Sequence, residues 1–241
     1  MRRIASFAAL TLIVLFAEVL TAAEVQAADS KAKNKQFTVI VQKLTNIGKI
    51  KWYLNGPMTR MDLPVATLVC DMSKNKAFIY SFKTHRFVAK KVEEMTNQLD
   101  MLHARRRETY SPWKKVNSND FDGKPAITYE RLILTGPTPR PKHVTVTERL
   151  IVSRDIKLDA KFVKLVNAMT AEEFGFGMPL HIDRRATSTM RKEMGKVPYL
   201  MLETLTTGKR ELTASELEIP KGFSPADSVQ SMLLVEYENN E

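Results

Sequence analysis

A cysteine nucleophile, or a zinc site made of histidine and cysteine, would have to use the one cysteine and four histidines of this 241-residue chain. A cysteine nucleophile needs a histidine base beside it, and zinc ligands recur at short, regular spacings. Cys70 instead lies inside an apolar run, residues 67–72, and the histidines are scattered: His85, His103, His143 and His181. We therefore predict that Cys70 is a small buried core residue and that the chain holds no metal.

General acid–base catalysis would need carboxylates that face one substrate. The acidic pairs Glu93-Glu94 and Glu172-Glu173 are each adjacent in sequence. Neighbouring residues on a helix with 3.6 residues per turn point about 100° apart, so neither pair forms an acid–base couple on its own. We predict a protein that is not an enzyme, with no catalytic residue and no cofactor.

Three consecutive arginines, Arg105, Arg106 and Arg107, could bind a phosphate or another anionic headgroup. They fall at the end of a predicted helix, where positive charge also matches the negative end of the helix dipole. The sequence leaves both roles open, a headgroup site and a solvated helix end.

The first 27 residues have the pattern of a secretory signal peptide. Arg2 and Arg3 supply positive charge, residues 4–17 form an apolar run, and Val25-Gln26-Ala27 offers a cleavage site. The run is shorter than the roughly 20 residues that span a bilayer; an uncleaved anchor is the alternative. We predict export to the periplasm or secretion, cleavage near Ala27, and a single domain over residues 28–241.

A net charge of +10 favours anionic partners for an exported protein. A membrane surface or an envelope polymer would meet that description, whereas the compartment disfavours nucleic acid. The alternative is a solvated basic surface that only aids solubility.

The sequence pattern of residues 49–90 predicts the fold class. Short runs rich in β-branched and aromatic residues alternate with turn sequences, which is typical of successive antiparallel strands. Phe78, Tyr80 and Phe82 share one strand phase and would make one face strongly aromatic. The pattern predicts a mainly β, α+β protein with a curved antiparallel sheet that turns large apolar side chains inward.

In two segments the apolar residues recur at the spacing that is typical of a helix. Within residues 90–107, and again after Asp159, apolar side chains fall three or four residues apart, and Asp159 is a candidate N-cap. The apolar positions are Val92, Met95, Leu99 and Leu102 in the first segment and Phe162, Leu165, Val166 and Met169 in the second.

The last third returns to the strand pattern. Strands are predicted at residues 197–205 and 209–217, separated by a turn at Thr207-Gly208, and a final strand at residues 231–238. The pattern of residues 183–195 is ambiguous, and its second half, residues 189–194, favours a helix.

Several motifs, taken in order, resemble the LolA/LolB-type lipoprotein-carrier superfamily, especially its uncharacterised exported relatives. After the signal peptide they are Gly56-Pro57-Met58-Thr59-Arg60-Met61-Asp62, Lys76-Ala77-Phe78-Ile79-Tyr80, Asp122-Gly123-Lys124-Pro125-Ala126-Ile127-Thr128-Tyr129, Gly195-Lys196-Val197-Pro198-Tyr199-Leu200-Met201-Leu202-Glu203 and Ile219-Pro220-Lys221-Gly222-Phe223. The resemblance covers most of residues 28–241 and depends on the order of these short motifs. It implies an incomplete antiparallel β-barrel, with helices that plug the open side and an apolar interior that holds acyl chains.

Such an interior needs only apolar lining, since each buried methylene contributes about 0.8 kcal/mol. The candidate lining residues are Trp52, Leu68, Phe78, Tyr80, Phe82, Met95, Leu99, Leu102 and Phe162. One hypothesis is a binding protein for a lipid, another hydrophobic ligand or a lipidated protein. The other is a structural envelope protein with a filled barrel, whose basic surface binds anionic membrane or cell-wall polymer. We expect the helix within residues 90–107 to cover the mouth of the sheet.

Overall fold

The computed structural model describes residues 34–103, 108–135, 141–170, 177–190 and 197–233. The predicted signal peptide and the three arginines Arg105, Arg106 and Arg107 lie outside these residues. Within them the chain is mainly β, as the sequence predicts, with a large curved sheet and few helices.

Thirteen strands of the described residues form one sheet. They are β1 Lys35–Leu44, β2 Gly48–Asn55, β3 Met58–Asp62, β4 Thr67–Asp71, β5 Lys76–Ser81, β6 Arg86–Lys91, β7 Thr109–Tyr110, β8 Lys114–Asn117, β9 Ala126–Thr135, β10 Val144–Ser153, β11 Pro179–Ser188, β12 Tyr199–Leu212 and β13 Ser224–Pro225. The helices are α1 Val92–His103, α2 Ala160–Thr170 and α3 Val229–Leu233, and the segments Met72–Lys74 and Ser215–Leu217 form 3-10 turns.

The strand order is β13-β6-β5-β4-β3-β2-β1-β12-β11-β10-β9-β7, with β8 also paired to β9. Each named pair is antiparallel except β13 with β6. The long β1–β12 pair joins the two halves of the sheet. The sheet is unclosed, because β7 and β13 end the order without pairing to each other in the described part of the chain.

Strand alternation gives this sheet two apolar faces. We call the inner face the one that carries Trp52, Leu68 and Ile79, which form a single buried cluster with side chains of all three helices. The outer face carries a second cluster, the outer cluster, which is Phe37, Tyr53 and Leu212.

The main local predictions agree with the structure. The short runs predicted as strands within residues 49–90 correspond to β2 to β6, and the predicted helices are α1 and α2. Asp159 caps α2, since its Oδ1 accepts hydrogen bonds from the backbone amides of Lys161 at 2.8 Å and Phe162 at 3.4 Å. Such a cap satisfies amides that have no partner within the helix.

Three predictions in the last third are wrong. No turn interrupts the chain at Thr207-Gly208: β12 continues through both residues and pairs Gly208 with Val39, so pairing with β1 outweighs the local preference of glycine for turns. The predicted strand end at residues 215–217 is a 3-10 turn. Residues 231–233 belong to α3, in which Val229 and Met232, three positions apart, are both buried.

Candidate ligand-binding site

Five of the nine predicted lining residues meet on the inner face. They are Trp52, Leu68, Met95, Leu99 and Phe162, each at most 2% exposed. The rings of Trp52 and Phe162 pack edge to face, with centroids 6.1 Å apart, so α2 contacts β2 directly. Residues as far apart in sequence as Trp52 and Phe162 therefore meet in one apolar contact between the helices and the sheet.

The aromatic residues of β5 lie on the opposite face. The register between β4 and β5 places Leu68 beside Ile79, so Ile79 points inward and its neighbours Phe78 and Tyr80 point outward. Phe82, just past the strand, is 59% exposed and packs edge to face against Tyr80. The aromatic face predicted from the sequence exists, but it does not contribute to the inner cluster.

Leu102 also stands apart from the inner cluster. It lies in the last turn of α1 and is 37% exposed, whereas Leu99, one turn earlier, is buried. The predicted lining therefore divides into five inner residues, three outer aromatic residues and one residue at a helix end.

The inner cluster is rich in methionine. Six of the chain's 12 methionines belong to it: Met61, Met95, Met169, Met178, Met201 and Met232. A methionine side chain is unbranched and polarizable, so it packs against surfaces of many shapes. A contact built in this way can repack around an inserted apolar molecule. Of these six methionines, only Met95 belongs to the lining predicted from the sequence.

Gln42 is a fully buried polar residue of the inner face that the sequence pattern did not predict as part of the site. Its Oε1 accepts a hydrogen bond from Trp52 Nε1 at 2.8 Å, while its Nε2 donates to Pro179 O at 2.6 Å and to Thr204 Oγ1 at 3.0 Å. Buried polar groups are tolerated when they are bonded in this way. The amide orients the Trp52 ring and ties β1 to β11 and β12.

A buried network of ion pairs lies on the inner face of strands β9, β10 and β11. Glu148 is 2% exposed and lies directly between Arg131 and Arg184 in the strand register. Arg131 donates from Nε and Nη2 to Glu148 Oε1 at 2.8 and 2.6 Å, and Arg184 Nε donates to Oε2 at 2.7 Å. Both carboxylate oxygens are thus paired with cations.

Two aromatic rings cover Arg131. Its guanidinium carbon lies 3.4 Å from the centroid of Tyr110 and 4.1 Å from that of Trp113, which is cation–π distance. Tyr110 donates its hydroxyl proton to Glu108 at 2.9 Å. Burial, together with the charges of Glu148 and Glu108, raises the pKa of Tyr110, so this phenol stays neutral. The network fastens β7 and β8 onto the sheet, which is a structural role.

The sequence carries a signal for this network. Glu148 shares its strand phase with Leu150 and Val152, and Arg131 shares its phase with Ile133. A charged side chain on the apolar phase of a strand is costly unless it is paired. Two charged side chains of opposite sign, each on the apolar face of one of two successive strands, therefore indicate a buried ion pair.

The outer face of the same strands holds a second ionic group. Asp183 Oδ2 accepts hydrogen bonds from Arg149 Nε at 2.8 Å and Nη2 at 2.6 Å, and it lies 2.9 Å from His181 Nε2. Burial alone raises the pKa of Asp183, but the hydrogen bonds and positive charges of His181 and Arg149 outweigh burial. The pKa of Asp183 therefore ends below its ordinary value of 3.8.

We expect Asp183→Asn to destabilise the protein at neutral pH more than in acid. A carboxyl group whose pKa is lowered by folding stabilises the folded state above its ordinary pKa, and this stabilisation is lost as the pH falls through the lowered value. Urea unfolding of both proteins at neutral pH and at a pH well below 3.8 checks this. The gap between their midpoints should narrow in acid, and an equal gap at both pH values would contradict the assignment.

Cys70 is buried in the inner cluster, as predicted. Burial raises the pKa of its thiol, so the group stays protonated and unreactive. No group of three or more histidine, cysteine or acidic side chains is placed to hold a metal ion in the part of the chain that the structure describes. Among the same residues, no helix has both the length and the apolar character that crossing a membrane requires.

No model of a known protein family matches this chain, and no curated protein matches it either.

Proposed function

We propose that the protein binds, without catalysis, a lipid acyl chain or another hydrophobic ligand between the inner face and the helices α1 and α2. The observation that supports this proposal is the methionine-rich apolar contact between these helices and the sheet. In this proposal the sheet acts as a half-barrel and the helices plug its open side. The ligand would be a lipid or the acyl chain of a lipidated protein.

Entry of a ligand would require the helices to move away from the sheet. α1 begins at Val92, immediately after β6, and so stays attached at that end. α2 is joined to α1 by an ion pair of 2.8 Å between Lys161 and Glu93. A hydrogen bond from Lys161 lowers the pKa of Glu93 to about 2, so the pair stays charged at physiological pH. The two helices also pack against each other through side chains of the inner cluster, so they would move together. Each buried ligand methylene would contribute about 0.8 kcal/mol.

The proposed setting is the cell envelope. The N-terminal 27 residues would direct export, and the +10 charge would favour contact with an anionic membrane surface or envelope polymer. Arg105, Arg106 and Arg107 stay candidates for an anionic headgroup, because they follow the end of α1 closely in sequence.

Mass spectrometry tests the ligand and the export together. The protein would be expressed with its own N-terminus and purified without detergent. We expect a chain mass that begins at Ala28 and a stoichiometric apolar molecule in the solvent extract. An apolar ligand should be retained by Phe82→Ala, a control on the outer face, because Phe82 lies outside the inner cluster.

Fluorescence locates the bound molecule. The chain has two tryptophans, so Trp113→Phe leaves Trp52 as the single emitter while keeping a ring over Arg131. Ligand entry at the inner face should shift the emission of Trp52, which contacts Phe162. The proposal would be contradicted if no apolar molecule copurifies with the protein and if the emission of Trp52 does not change when acyl chains are added. Salt-sensitive binding to anionic polymer or membrane would then favour the structural envelope role.

A further inference from the structure

An open groove of about 570 Å³ lies on the outer face, away from the helices. Its apolar lining consists of Met58, Val69, Phe78, Leu212, Ala214 and Leu217. Val69 and Leu212 form a buried floor, whereas Phe78 is half-buried at the side. The volume falls within the range of about 300–1,000 Å³ that is typical of small-molecule sites.

The chain after β12 forms one wall of the groove and is held firmly in place. Leu217 packs against the outer cluster. The Glu216 carboxylate accepts hydrogen bonds from Arg210 Nη2 at 2.7 Å and from the Thr213 amide at 3.0 Å, and Arg60 donates to the Glu216 carbonyl. The groove is therefore preformed and does not need a ligand to shape it.

Charged side chains surround the apolar floor. Lys35, Lys74 and Lys76 line the groove together with two acids, Asp71 and Glu218. Asp71 is already engaged, since it pairs with Lys74 at 3.4 Å and caps the following 3-10 turn. Lys35 and Lys76 form no ion pair within the described residues. Three lysines and two acids leave a formal charge of +1 around the groove.

We propose that this groove binds the anion of a long-chain fatty acid. The alkyl chain would lie on the apolar floor, and the carboxylate would face Lys35 and Lys76. A monoanion balances the formal +1 charge of the lining. The site is separate from the inner face, because β5 lies between the two: Phe78 lines the groove, whereas Ile79 belongs to the inner cluster.

Calorimetric titration of the purified protein with dodecanoate tests the proposal, with dodecanol as the neutral probe. Ala214→Trp fills the groove, and Lys76→Glu reverses a charge beside it; both residues are exposed, so the fold should tolerate the changes. We expect dodecanoate to bind at least about tenfold more weakly to each variant, because like charges brought together are strongly unfavourable and because the indole occupies the apolar floor. Lys115→Glu, the same charge reversal on β8, should bind like the wild type.

The outcomes separate this proposal from the proposed function. Dodecanoate binding that survives both Ala214→Trp and Lys76→Glu but shifts the emission of Trp52 would overturn the groove assignment and support the inner face. Equal affinity for dodecanoate and dodecanol would overturn the role of the lysines, and a lack of saturable dodecanoate binding would overturn the proposal as a whole. Groove binding that leaves the emission of Trp52 unchanged would establish the groove as a site of its own.

Discussion

Replacing Arg131 with methionine is expected to lower the free energy of unfolding by about 3–5 kcal/mol, the cost of breaking a buried ion pair by removing one partner. Glu148 would stay buried without the two hydrogen bonds from Arg131, and Tyr110 and Trp113 would lose the cation that they cover. Urea unfolding followed by circular dichroism measures the change.

Two controls separate charge from packing in this prediction. The double variant Arg131→Met/Glu148→Leu should recover part of the lost stability, because it leaves no buried carboxylate at position 148 and Arg184 keeps its ion pair with Glu108 at 2.9 Å. Lys161→Ala breaks an exposed pair and should change the unfolding midpoint little. A wild-type midpoint for Arg131→Met would show that the network carries no stability.

Truncating Phe162 to alanine is expected to destabilise the protein by a comparable amount, about 3–5 kcal/mol. Phe162 is 1% exposed and packs edge to face on Trp52, so its loss leaves a cavity in the middle of the inner cluster. Thermal or urea unfolding measures the loss. If the inner face accepts acyl chains, the variant should regain stability when an apolar ligand fills that cavity, because a ligand that binds only the folded state stabilises it.

Phe82→Ala is the matched control for this second prediction. Phe82 is 59% exposed and contacts Tyr80 and Phe223 on the outer face, so the same truncation leaves no enclosed cavity. It should cost clearly less than Phe162→Ala. Equal losses for the two variants would mean that α2 does not pack on Trp52 in solution.

The two proposals assign a different mode of ligand binding to each face of the sheet. The inner face meets the helices through methionine-rich contacts, and the outer face carries a preformed groove with lysines around it. A carrier that holds its ligand on the inner face needs mobile helices, whereas the groove needs no movement of the chain. Comparing variants of Ile79 and Phe78, adjacent residues on opposite faces of β5, therefore separates the two modes of binding.

Local patterns in the sequence predicted most of the elements. The alternation in residues 49–90 corresponds to strands β2 to β6, and the helical spacing after Asp159 corresponds to α2 with its cap. The prediction failed at Gly208, where a residue typical of turns lies inside a long strand. Glycine allows a turn but does not require one. Here β12 pairs with all ten residues of β1, a strand far away in sequence, and this pairing cannot be seen in the local sequence.

The candidate site was predictable in part. Trp52, Leu68, Met95, Leu99 and Phe162 do converge, because each lies on the more apolar phase of its element. Phe78 and Tyr80 lie on the other face, because the strand register places Ile79 beside Leu68. The periodicity of β5 alone does not show which of its two faces meets the helices. The groove was not predicted, because its walls come from residues 35 to 78 and from residues 212 to 218.

The sequence by itself determined the type of most elements, the mainly β character and the burial of Cys70, because strand alternation, helix spacing and capping depend on residues within a few positions of one another. Only the tertiary structure decided which phase of β5 meets the helices, that Arg131 and Glu148 form a buried pair, and that the chain after β12 closes one side of a groove. Those outcomes depend on strand register and on contacts between distant segments, where packing against the rest of the fold overrides what any short stretch prefers.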